Sequence, residues 1–296
     1  MSHTPVLLRE VIDHLHPQSG ETVIDLTVGL GGHAKAFSEK IGSKGKLIGL
    51  DADEKNLAEA TKNIAEKNVQ FLHVNFRELP TLNLPLCDIL FADLGLSSPH
   101  IDDPQRGFTF REDSPLDCRF DQTHGEPASL LLERASEEEL VRIFGEYGEL
   151  RFARTLAQEI MARRAPQAFG RSSDLVRAVE KVFSWKAKKV LPQIFQALRI
   201  AVNDEMGALS ILLDYGPSLL KPGGRFGIIS YHSLEDRMVK RRFQELAGIP
   251  GSGVFKTALV PTSYTLLTKK PVQPTMEEIQ RNPRSRSAVF RILQKQ

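Results

Sequence analysis

Apolar and polar residues alternate along the first third of the chain in blocks that predict strands followed by helices. Each short apolar run ends in a polar turn, after which apolar residues recur at helical spacing. The strands predicted in this part are Thr22–Leu26, Leu47–Leu50, Val69–Val74 and Asp88–Ala92. Strands that alternate with helices in this way are typical of a parallel, doubly wound α/β sheet.

The alternation stops between about Gly107 and Glu205, where apolar residues recur only at helical spacing. The helices predicted there are Glu137–Phe144, Arg151–Arg164, one that is capped by Ser172 or Ser173 and ends at Phe183, and one that follows Pro192 and ends at Val202. The elements predicted beyond it are a helix at Met206–Leu213, a strand at Arg225–Ser230, and an antiparallel edge hairpin of Thr262–Thr268 and Ala288–Leu293. We therefore predict a doubly wound, Rossmann-like α/β sheet domain, 1–106 and 206–296, with an inserted, mainly helical second domain at 107–205.

Local signals predict where two helices begin and which face one of them buries. Thr4 and Pro5 have the residue types of an N-cap and first helical position, so an amphipathic helix is predicted to start there. Phe152, Leu156 and Ile160 are spaced as one apolar stripe, which predicts that all three face the core.

The composition is that of a globular protein, with 41% hydrophobic and 26% charged residues among 296. Two cysteines, Cys87 and Cys118, are too few for a disulfide framework or a thiolate zinc site, and they fit a reducing cytosol. The N-terminus has no signal-peptide pattern, and no apolar run is long enough to span a membrane. We expect a cytoplasmic protein that does not bind a membrane.

Positive charge is concentrated in two segments, although the formal net charge is only +2. Arg237–Gln296 contains 12 Lys and Arg against 3 Asp and Glu, and Arg171–Arg199 contains 7 against 2. A charged run is usually a solvated surface. Two such segments beside an α/β domain nevertheless favour a polyanionic partner.

A glycine-rich loop connects the first predicted strand to the first helix. Its sequence, Gly29-Leu30-Gly31-Gly32-His33, leaves main-chain N–H groups accessible to a ligand at a helix N-terminus. The simpler alternative is a tight strand-to-helix turn without a ligand. Asp51, at the end of the second strand, is placed to accept hydrogen bonds from a ribose, so we favour a nucleoside-containing cofactor.

Asp25, which ends the first strand, indicates the charge of that cofactor. A carboxylate beside the loop would repel a pyrophosphate, whereas it suits the ammonium and sulfonium groups of S-adenosyl-L-methionine. The loop also departs from the G-x-G-x-x-G spacing of dinucleotide-binding folds. Both observations disfavour an NAD-dependent oxidoreductase, which is the alternative enzyme class.

Four strand ends are predicted to meet at one crevice, because ligands on parallel sheets bind beyond the carboxyl ends of the strands. The residues at these ends are Asp25, Asp51, Phe76 and Asp93. Ser97-Ser98-Pro99 follows the fourth strand and could hold an exocyclic amino group, so that its nitrogen pyramidalises toward a methyl donor. A plain loop is the alternative for this tripeptide.

Aromatic and basic residues beyond this loop have two interpretations. Arg106 and Phe108 could bind phosphate and stack on a splayed base, or they could anchor a packed loop. Tyr231, after the strand at Arg225–Ser230, could stack on a base or close the sheet edge. His33 and His100 lack metal-ligand spacing, and we predict no metal site.

Five groups of motifs together resemble the MraW family of bacterial 16S rRNA cytosine-N4 methyltransferases. They are His3–Leu8; Asp25–His33; Asp93–Pro99; Arg106–Phe108 with Arg199–Asn203; and Ser233–Arg237 with Asn282–Ser285. These segments span nearly the whole chain in the family's order. The resemblance implies S-adenosyl-L-methionine as methyl donor and a decoding-region cytosine of 16S rRNA as acceptor.

The resemblance also implies roles for individual residues. Residues implied to bind the cofactor are Gly31, Gly32, His33, Asp51 for the ribose, Phe76 for the adenine, Asp93 and His100. His100 stands where glutamine is common in the family, which leaves its role open, while Tyr231 for phenylalanine and Met206 for leucine are conservative. The family lacks the Asp/Asn-Pro-Pro-aromatic motif of DNA amino-methyltransferases, so the catalytic residues follow less clearly.

An RNA cytosine-N4 methyltransferase is therefore the leading hypothesis, with methyl transfer direct and without a covalent intermediate. The helical insert and the basic tail, including Arg284 and Arg286, would bind rRNA. A non-catalytic RNA-binding assembly factor is the alternative outside the enzymes. The sequence leaves open whether the substrate is naked rRNA or the small ribosomal subunit, and whether the protein forms a homodimer.

Overall fold

The computed structural model describes residues 4–165, 168–249 and 262–296, and the chain divides into two compact units. Unit 1 is formed by Met1–Gly95 and Gly207–Gln296, and unit 2 by Leu96–Met206. The first boundary thus lies earlier than the sequence pattern places it. The reason is that Arg106 belongs to unit 2, where its guanidinium donates to the main-chain carbonyls of Arg119 and Phe120.

Unit 1 contains a mixed seven-stranded sheet. Its strands are β1 Thr22–Asp25, β2 Lys46–Asp51, β3 Val69–His73, β4 Cys87–Asp93, β5 Leu220–Ser230, β6 Tyr264–Leu266 and β7 Val289–Lys295. Their spatial order is β3-β2-β1-β4-β5-β7-β6, in which β1 to β5 pair in parallel and β7 is antiparallel to both β5 and β6. This confirms the predicted doubly wound sheet and its antiparallel C-terminal edge.

Helices cover the sheet in unit 1 and dominate unit 2. In chain order they are α1 Leu8–Leu15, α2 Gly32–Ile41, α3 Glu54–Asn63, α4 Ser98–Asp102, α5 Ala128–Arg134, α6 Glu137–Arg142, α7 Ala153–Arg163, α8 Ser172–Phe183, α9 Ala187–Asn203, α10 Glu205–Tyr215, α11 Ser233–Leu246 and α12 Met276–Arg281. The described part of unit 2 has no strand, only an isolated bridge between Pro115 and Arg171. None of the described helices combines the length and apolar character that crossing a bilayer requires.

Aromatic rings fill the core of unit 1 between the first helices and the sheet. Phe91 of β4 lies 5.4 Å from Phe37 of α2 and 6.4 Å from Phe290 of β7, measured between ring centroids. All three side chains are fully buried. Burial of this size contributes several kcal/mol by area and orders the strands whose ends form the site described below.

The prediction that a helix starts at Thr4 and Pro5 is wrong, because α1 begins at Leu8, after Leu7 in a left-handed conformation (φ 54°). The preceding residues instead make contacts with distant parts of unit 1. The N–H of Leu7 donates to the carboxylate of Glu278 in α12 at 2.7 Å, and the Val6 carbonyl bonds to His33. In a helix starting at Pro5 the Val6 carbonyl would accept from the following turn, whereas here it bonds to His33, and the Leu7 N–H finds its acceptor in Glu278.

Three details of the helices in unit 2 also differ from prediction. Phe152 is 56% exposed although Leu156 and Ile160 are buried, because α7 begins only after it. Pro192 lies inside α9, which starts five residues earlier. The N-cap of α8 is Arg171, not a serine, and its N–H donates to the Asp174 carboxylate at 2.9 Å.

Candidate functional site

The loop between β1 and α2 has a backbone that depends on glycine. Gly29 and Gly31 have φ values of +54° and +88°, which disfavour residues with a Cβ atom. A Cβ on Gly32 would lie 2.3 Å from Cγ of Pro5, so the N-terminal segment packs directly on the loop. In this loop the N–H groups of Gly29 and Gly31 already donate to Asp51 and to the Val28 carbonyl, so a ligand contact with its main chain stays a prediction.

Asp51, at the end of β2, holds this loop. Its Oδ2 accepts from the Gly29 N–H at 2.7 Å, and its Oδ1 accepts from the Asp53 N–H at 2.8 Å. Asn56 adds a longer bond of 3.4 Å to Oδ1. Asp51 thus holds the loop through its carboxylate, and its contact with a ribose stays a prediction.

Asp25, at the end of β1, is a buried carboxyl group with an unsatisfied oxygen. Its Oδ1 accepts from the Thr27 N–H at 3.1 Å, whereas Oδ2 has no hydrogen-bond partner. Burial raises the pKa of Asp25 from 3.8 to about 8; the Thr27 bond opposes this, and the carboxylates of Asp93 and Asp51 raise the pKa further. A cationic group from a ligand would satisfy Oδ2 and favour the ionised form.

Asp93, at the end of β4, connects this loop to β5. Its N–H donates to Oγ1 of Thr27 at 2.6 Å, and its Oδ1 accepts from Gly95 at a longer 3.4 Å. The side chain of Tyr231 also hydrogen-bonds to Asp93. Its ring packs so closely on Gly95 that a Cβ added there would lie 2.6 Å from Cε2 of the tyrosine. Burial is the main reason that the pKa of Tyr231 lies well above 10, and the charge of Asp93 is the next. The phenol therefore stays neutral. Tyr231 therefore closes this sheet end in unit 1, which is one of its two predicted roles.

His33 lies in the first turn of α2 and is buried. Its Nε2 is 3.0 Å from the Val6 carbonyl, and its Nδ1 is 3.8 Å from a carboxylate oxygen of Asp93. Burial lowers the pKa of His33 to about 4, although the bond to Val6 raises it. The ring is therefore neutral, and because a carbonyl only accepts, Nε2 carries the proton. His33 thus fixes the N-terminal segment beside the glycine loop.

Phe76 is the fourth residue that the sequence places at a strand end. It begins a short 3₁₀ helix, Phe76–Thr81, three residues after β3 ends at His73, and its side chain is half-buried. Asn75 caps this helix by accepting from the Arg77 N–H at 2.9 Å. Because His73 of β3 pairs with Asp51 of β2, Phe76 follows the strand end next to Asp51, and its contact with an adenine stays a prediction.

In unit 2, Ser97 caps the short helix α4, which starts at Ser98 and Pro99. His100 accepts the Ser97 N–H at Nδ1, 3.2 Å away, and its ring lies 5.1 Å from Phe108 and 5.2 Å from the ring of Phe120. Its side chain is 5% exposed. In this unit His100 therefore shapes the loop that follows β4, and its predicted contact with the cofactor stays a prediction.

Arg106 is 2% exposed and donates to two main-chain carbonyls, with its guanidinium carbon 5.9 Å from the ring centroid of Phe108. These contacts fit the packed-loop interpretation of Arg106 and not a phosphate contact. Arg284 and Arg286 differ, because both are exposed on a 3₁₀ turn, Pro283–Ser287. The buried Ser285 between them bonds to the Asn282 carbonyl at 2.8 Å and fixes that turn.

Sequence reasoning missed the N-terminal and C-terminal segments that support the site. Thr4 accepts from Asn282 at 3.1 Å, and Leu7 donates to Glu278, so the segment that packs on the glycine loop also contacts α12 and the residue after it. Both segments belong to motifs quoted above, but spacing alone does not show that they touch. Pairs of this kind, far apart in sequence, are visible only in the folded chain.

The chain is similar in sequence to known proteins over its whole length. Curated relatives named "Ribosomal RNA small subunit methyltransferase H" include those of Thermomicrobium roseum, 43% identical, covering 98% of this chain and 92% of the relative, and of Bacteroides thetaiotaomicron, 39% identical, covering 99% and 97%. A solved SAM-dependent O-methyltransferase from Thermotoga maritima resembles the chain more weakly, with 12% identity, a TM-score of 0.43, and coverage of 99% of this chain and 67% of that one. The model of the MraW methylase family matches residues 1–296. The chain therefore belongs to the MraW methylase family.

Proposed function

We propose that this protein methylates the exocyclic N4 amino group of a cytosine in the decoding region of 16S rRNA. It is an S-adenosyl-L-methionine-dependent methyltransferase by family, and its curated relatives are named for the small-subunit ribosomal RNA. The finer points of the proposal are the target atom and the residues that serve it. The single observation that carries the cofactor assignment is the unsatisfied oxygen of Asp25 beside the glycine loop.

The residues of unit 1 fit this cofactor. Asp25 would accept the ammonium group, because a buried, unpartnered carboxylate oxygen gains most from a cation. Asp51 would accept from the ribose hydroxyls, and Phe76 would pack against the adenine. Gly31, Gly32, His33 and Asp93 would complete the binding loop. The family resemblance also implies a cofactor contact for His100, which belongs to unit 2. When bound, S-adenosyl-L-methionine supplies a methyl group made electrophilic by the neighbouring sulfonium.

The chemistry at the acceptor would be direct transfer. Burial raises the pKa of Cys87 to about 12 and that of Cys118 further, so neither thiol supplies a thiolate for attack on a pyrimidine ring at neutral pH. The amino group instead needs an acceptor for one N–H while its lone pair turns toward the methyl group. Ser97 and Ser98, with Pro99 stiffening the loop, would provide that orientation.

The substrate would be rRNA within the small ribosomal subunit, in the cytoplasm. The target base would be turned out of its stack, because N4 is not accessible to in-line attack inside a helix. The exposed Arg284 and Arg286 would contact phosphates. A homodimer stays a hypothesis, and light scattering on the purified protein would test it.

Methyl mapping of 16S rRNA tests the proposal. RNA from a strain lacking the enzyme should gain one methyl group at cytosine N4 when incubated with the protein and S-adenosyl-L-methionine, as read by mass analysis of nuclease fragments. Naked rRNA and isolated small subunits, tested in parallel, distinguish the two substrate forms. Transfer to a ring carbon or to another base would refute the assignment of the target atom, and thermal stabilisation by NADH but not by S-adenosylhomocysteine would refute the cofactor assignment.

A further inference from the structure

Unit 2 presents an exposed aromatic side chain surrounded by lysines. Trp185, the only tryptophan in the chain, is 84% exposed, more than any other large hydrophobic residue described. It lies in a 3₁₀ turn, Ser184–Lys186, between α8 and α9. A single exposed apolar side chain is common on protein surfaces, so the charges around Trp185 decide what this surface could bind.

The backbone holds this side chain in its exposed position. Ser184 has a φ of +49°, so the chain turns sharply where α8 ends. Phe183 packs against the core of unit 2 on one side of the turn, and Ala187 is buried on the other. Trp185 therefore projects from a turn whose two flanks are anchored, which limits the entropy that a partner must remove on binding.

The charge around Trp185 is positive. No Asp or Glu occurs from Lys181 to Arg199, and Lys186, Lys188 and Lys189 are all exposed. In the part of the chain that the structure describes, no carboxylate lies within 4.0 Å of these three ammonium groups, whereas Lys181 pairs with Glu159 at 3.0 Å. Nζ of Lys186 lies 5.0 Å from the ring centroid of Trp185, a cation–π contact on the ring.

We infer that Trp185 with Lys186, Lys188 and Lys189, here called the tryptophan–lysine surface, binds single-stranded RNA. An aromatic ring on which a base stacks, beside cations for the flanking phosphates, is the combination that single-strand binding uses. A single RNA strand satisfies both features, because a base stacks on the ring and the flanking phosphates compensate the lysines, whereas an apolar protein surface would leave three ammonium groups uncompensated. The inference rests on the proposed function and adds to it a contact in unit 2 that recognises unpaired nucleotides of the substrate.

The sole tryptophan makes a direct test available. Emission from Trp185 should be quenched saturably by a short single-stranded oligoribonucleotide, more weakly by an abasic ribose-phosphate chain of equal length, and not by anionic lipid vesicles. Trp185→Ala should weaken oligonucleotide binding about five- to a hundredfold, the range for one stacked base, and Trp185→Phe should restore part of it. Replacing the three lysines by glutamine should reduce the salt slope by about 2, at roughly 0.7 per phosphate contact.

Matched variants separate this surface from general effects. Leu86→Ala removes another exposed apolar side chain (52% exposed) from unit 1 and should leave RNA affinity unchanged. Glutamine at the exposed Lys40, Lys44 and Lys46 removes equal charge from unit 1 and should change the salt slope less. In methylation assays, Trp185→Ala should raise KM for RNA while kcat and the affinity for S-adenosylhomocysteine stay the same.

The outcomes distinguish failure of this inference from failure of the proposed function. If the wild type methylates rRNA but Trp185→Ala has the same KM and Trp185 emission does not respond to RNA, the surface is not an RNA site. Quenching by vesicles alone, or equal quenching by the abasic chain, would likewise overturn it. If emission responds to oligonucleotides while no rRNA is methylated, the surface stands and the proposed function fails.

Discussion

Replacing Asp25 by asparagine should stabilise the ligand-free protein and weaken its binding of S-adenosyl-L-methionine. Asparagine keeps an oxygen for the Thr27 N–H, which lies 3.1 Å from Oδ1, and removes the ionisable group. Asp25 is fully buried, and its pKa is raised from 3.8 to about 8, chiefly by burial. The same carboxyl group thus destabilises the empty site and suits a cationic ligand.

The magnitude follows from the difference in pKa between the folded and unfolded protein. Below pH 3.8 the Asp25 carboxyl is protonated in both the folded and the unfolded protein, and its contribution to the free energy of unfolding is fully present. As the pH rises toward 8, the unfolded chain ionises first, and this contribution is progressively lost at about 1.4 kcal/mol per pH unit. At pH 7 the loss reaches about 4 kcal/mol, an upper value because the new amide must also be accommodated.

Urea denaturation of the ligand-free protein between pH 5 and pH 7 measures this pH-dependent contribution of Asp25 to the free energy of unfolding. The stability of Asp25→Asn minus that of the wild type should grow by about 1.4 kcal/mol per pH unit. A difference that does not vary with pH would refute the raised pKa of Asp25. A constant offset from imperfect packing of the amide does not affect the slope.

Calorimetric titration with S-adenosyl-L-methionine measures how Asp25 affects the affinity for the cofactor. Between pH 5.5 and pH 7 the ligand's α-amino group, with a reference pKa of about 7.7–8.0, stays protonated. Wild-type affinity should rise about tenfold per pH unit as Asp25 ionises, with about one proton released on binding. Asp25→Asn should bind weakly and with no such pH dependence. Asp88→Asn, near the opposite end of β4, is the matched control, and this variant should bind S-adenosyl-L-methionine with wild-type affinity. Equal affinity of Asp25→Asn and the wild type would refute the ammonium contact.

Three further predictions concern the loop and the basic tail. Asp51→Ala should weaken cofactor binding by about 1.5–3 kcal/mol, because the ribose loses a charge-assisted acceptor; unchanged affinity in calorimetry would remove that assignment. Replacing both Arg284 and Arg286 by glutamine should weaken RNA binding and lower the salt slope by about 1.4–1.8, whereas an unaltered slope would mean that the turn is only structural. Gly32→Ala should lower the melting temperature, corresponding to about 1–3 kcal/mol, since its Cβ would lie 2.3 Å from Cγ of Pro5; a wild-type melting curve would contradict that packing.

The sequence by itself determined the type and order of most elements. Apolar periodicity reports local burial, and it predicts a strand or a helix without knowledge of the partner. Asp25, Asp51 and Asp93 were placed at one site because parallel strands end at the same edge of a sheet. In the structure the Asp51 carboxylate accepts from the Gly29 N–H and the Asp93 N–H donates to Thr27, so both residues contact the loop that follows Asp25.

Only the tertiary structure decided which polar groups already have hydrogen-bond partners within the protein. Arg106 looks like an RNA contact in the sequence, but its guanidinium is buried and donates to main-chain carbonyls. Trp185 is exposed, although no sequence pattern distinguishes it from a core residue. The unsatisfied oxygen of Asp25 and the position of Val6 against His33 likewise depend on residues far away in the chain. Periodicity is a local property, while burial and hydrogen-bond partners depend on contacts between distant segments, and that is why these features appear only in the folded molecule.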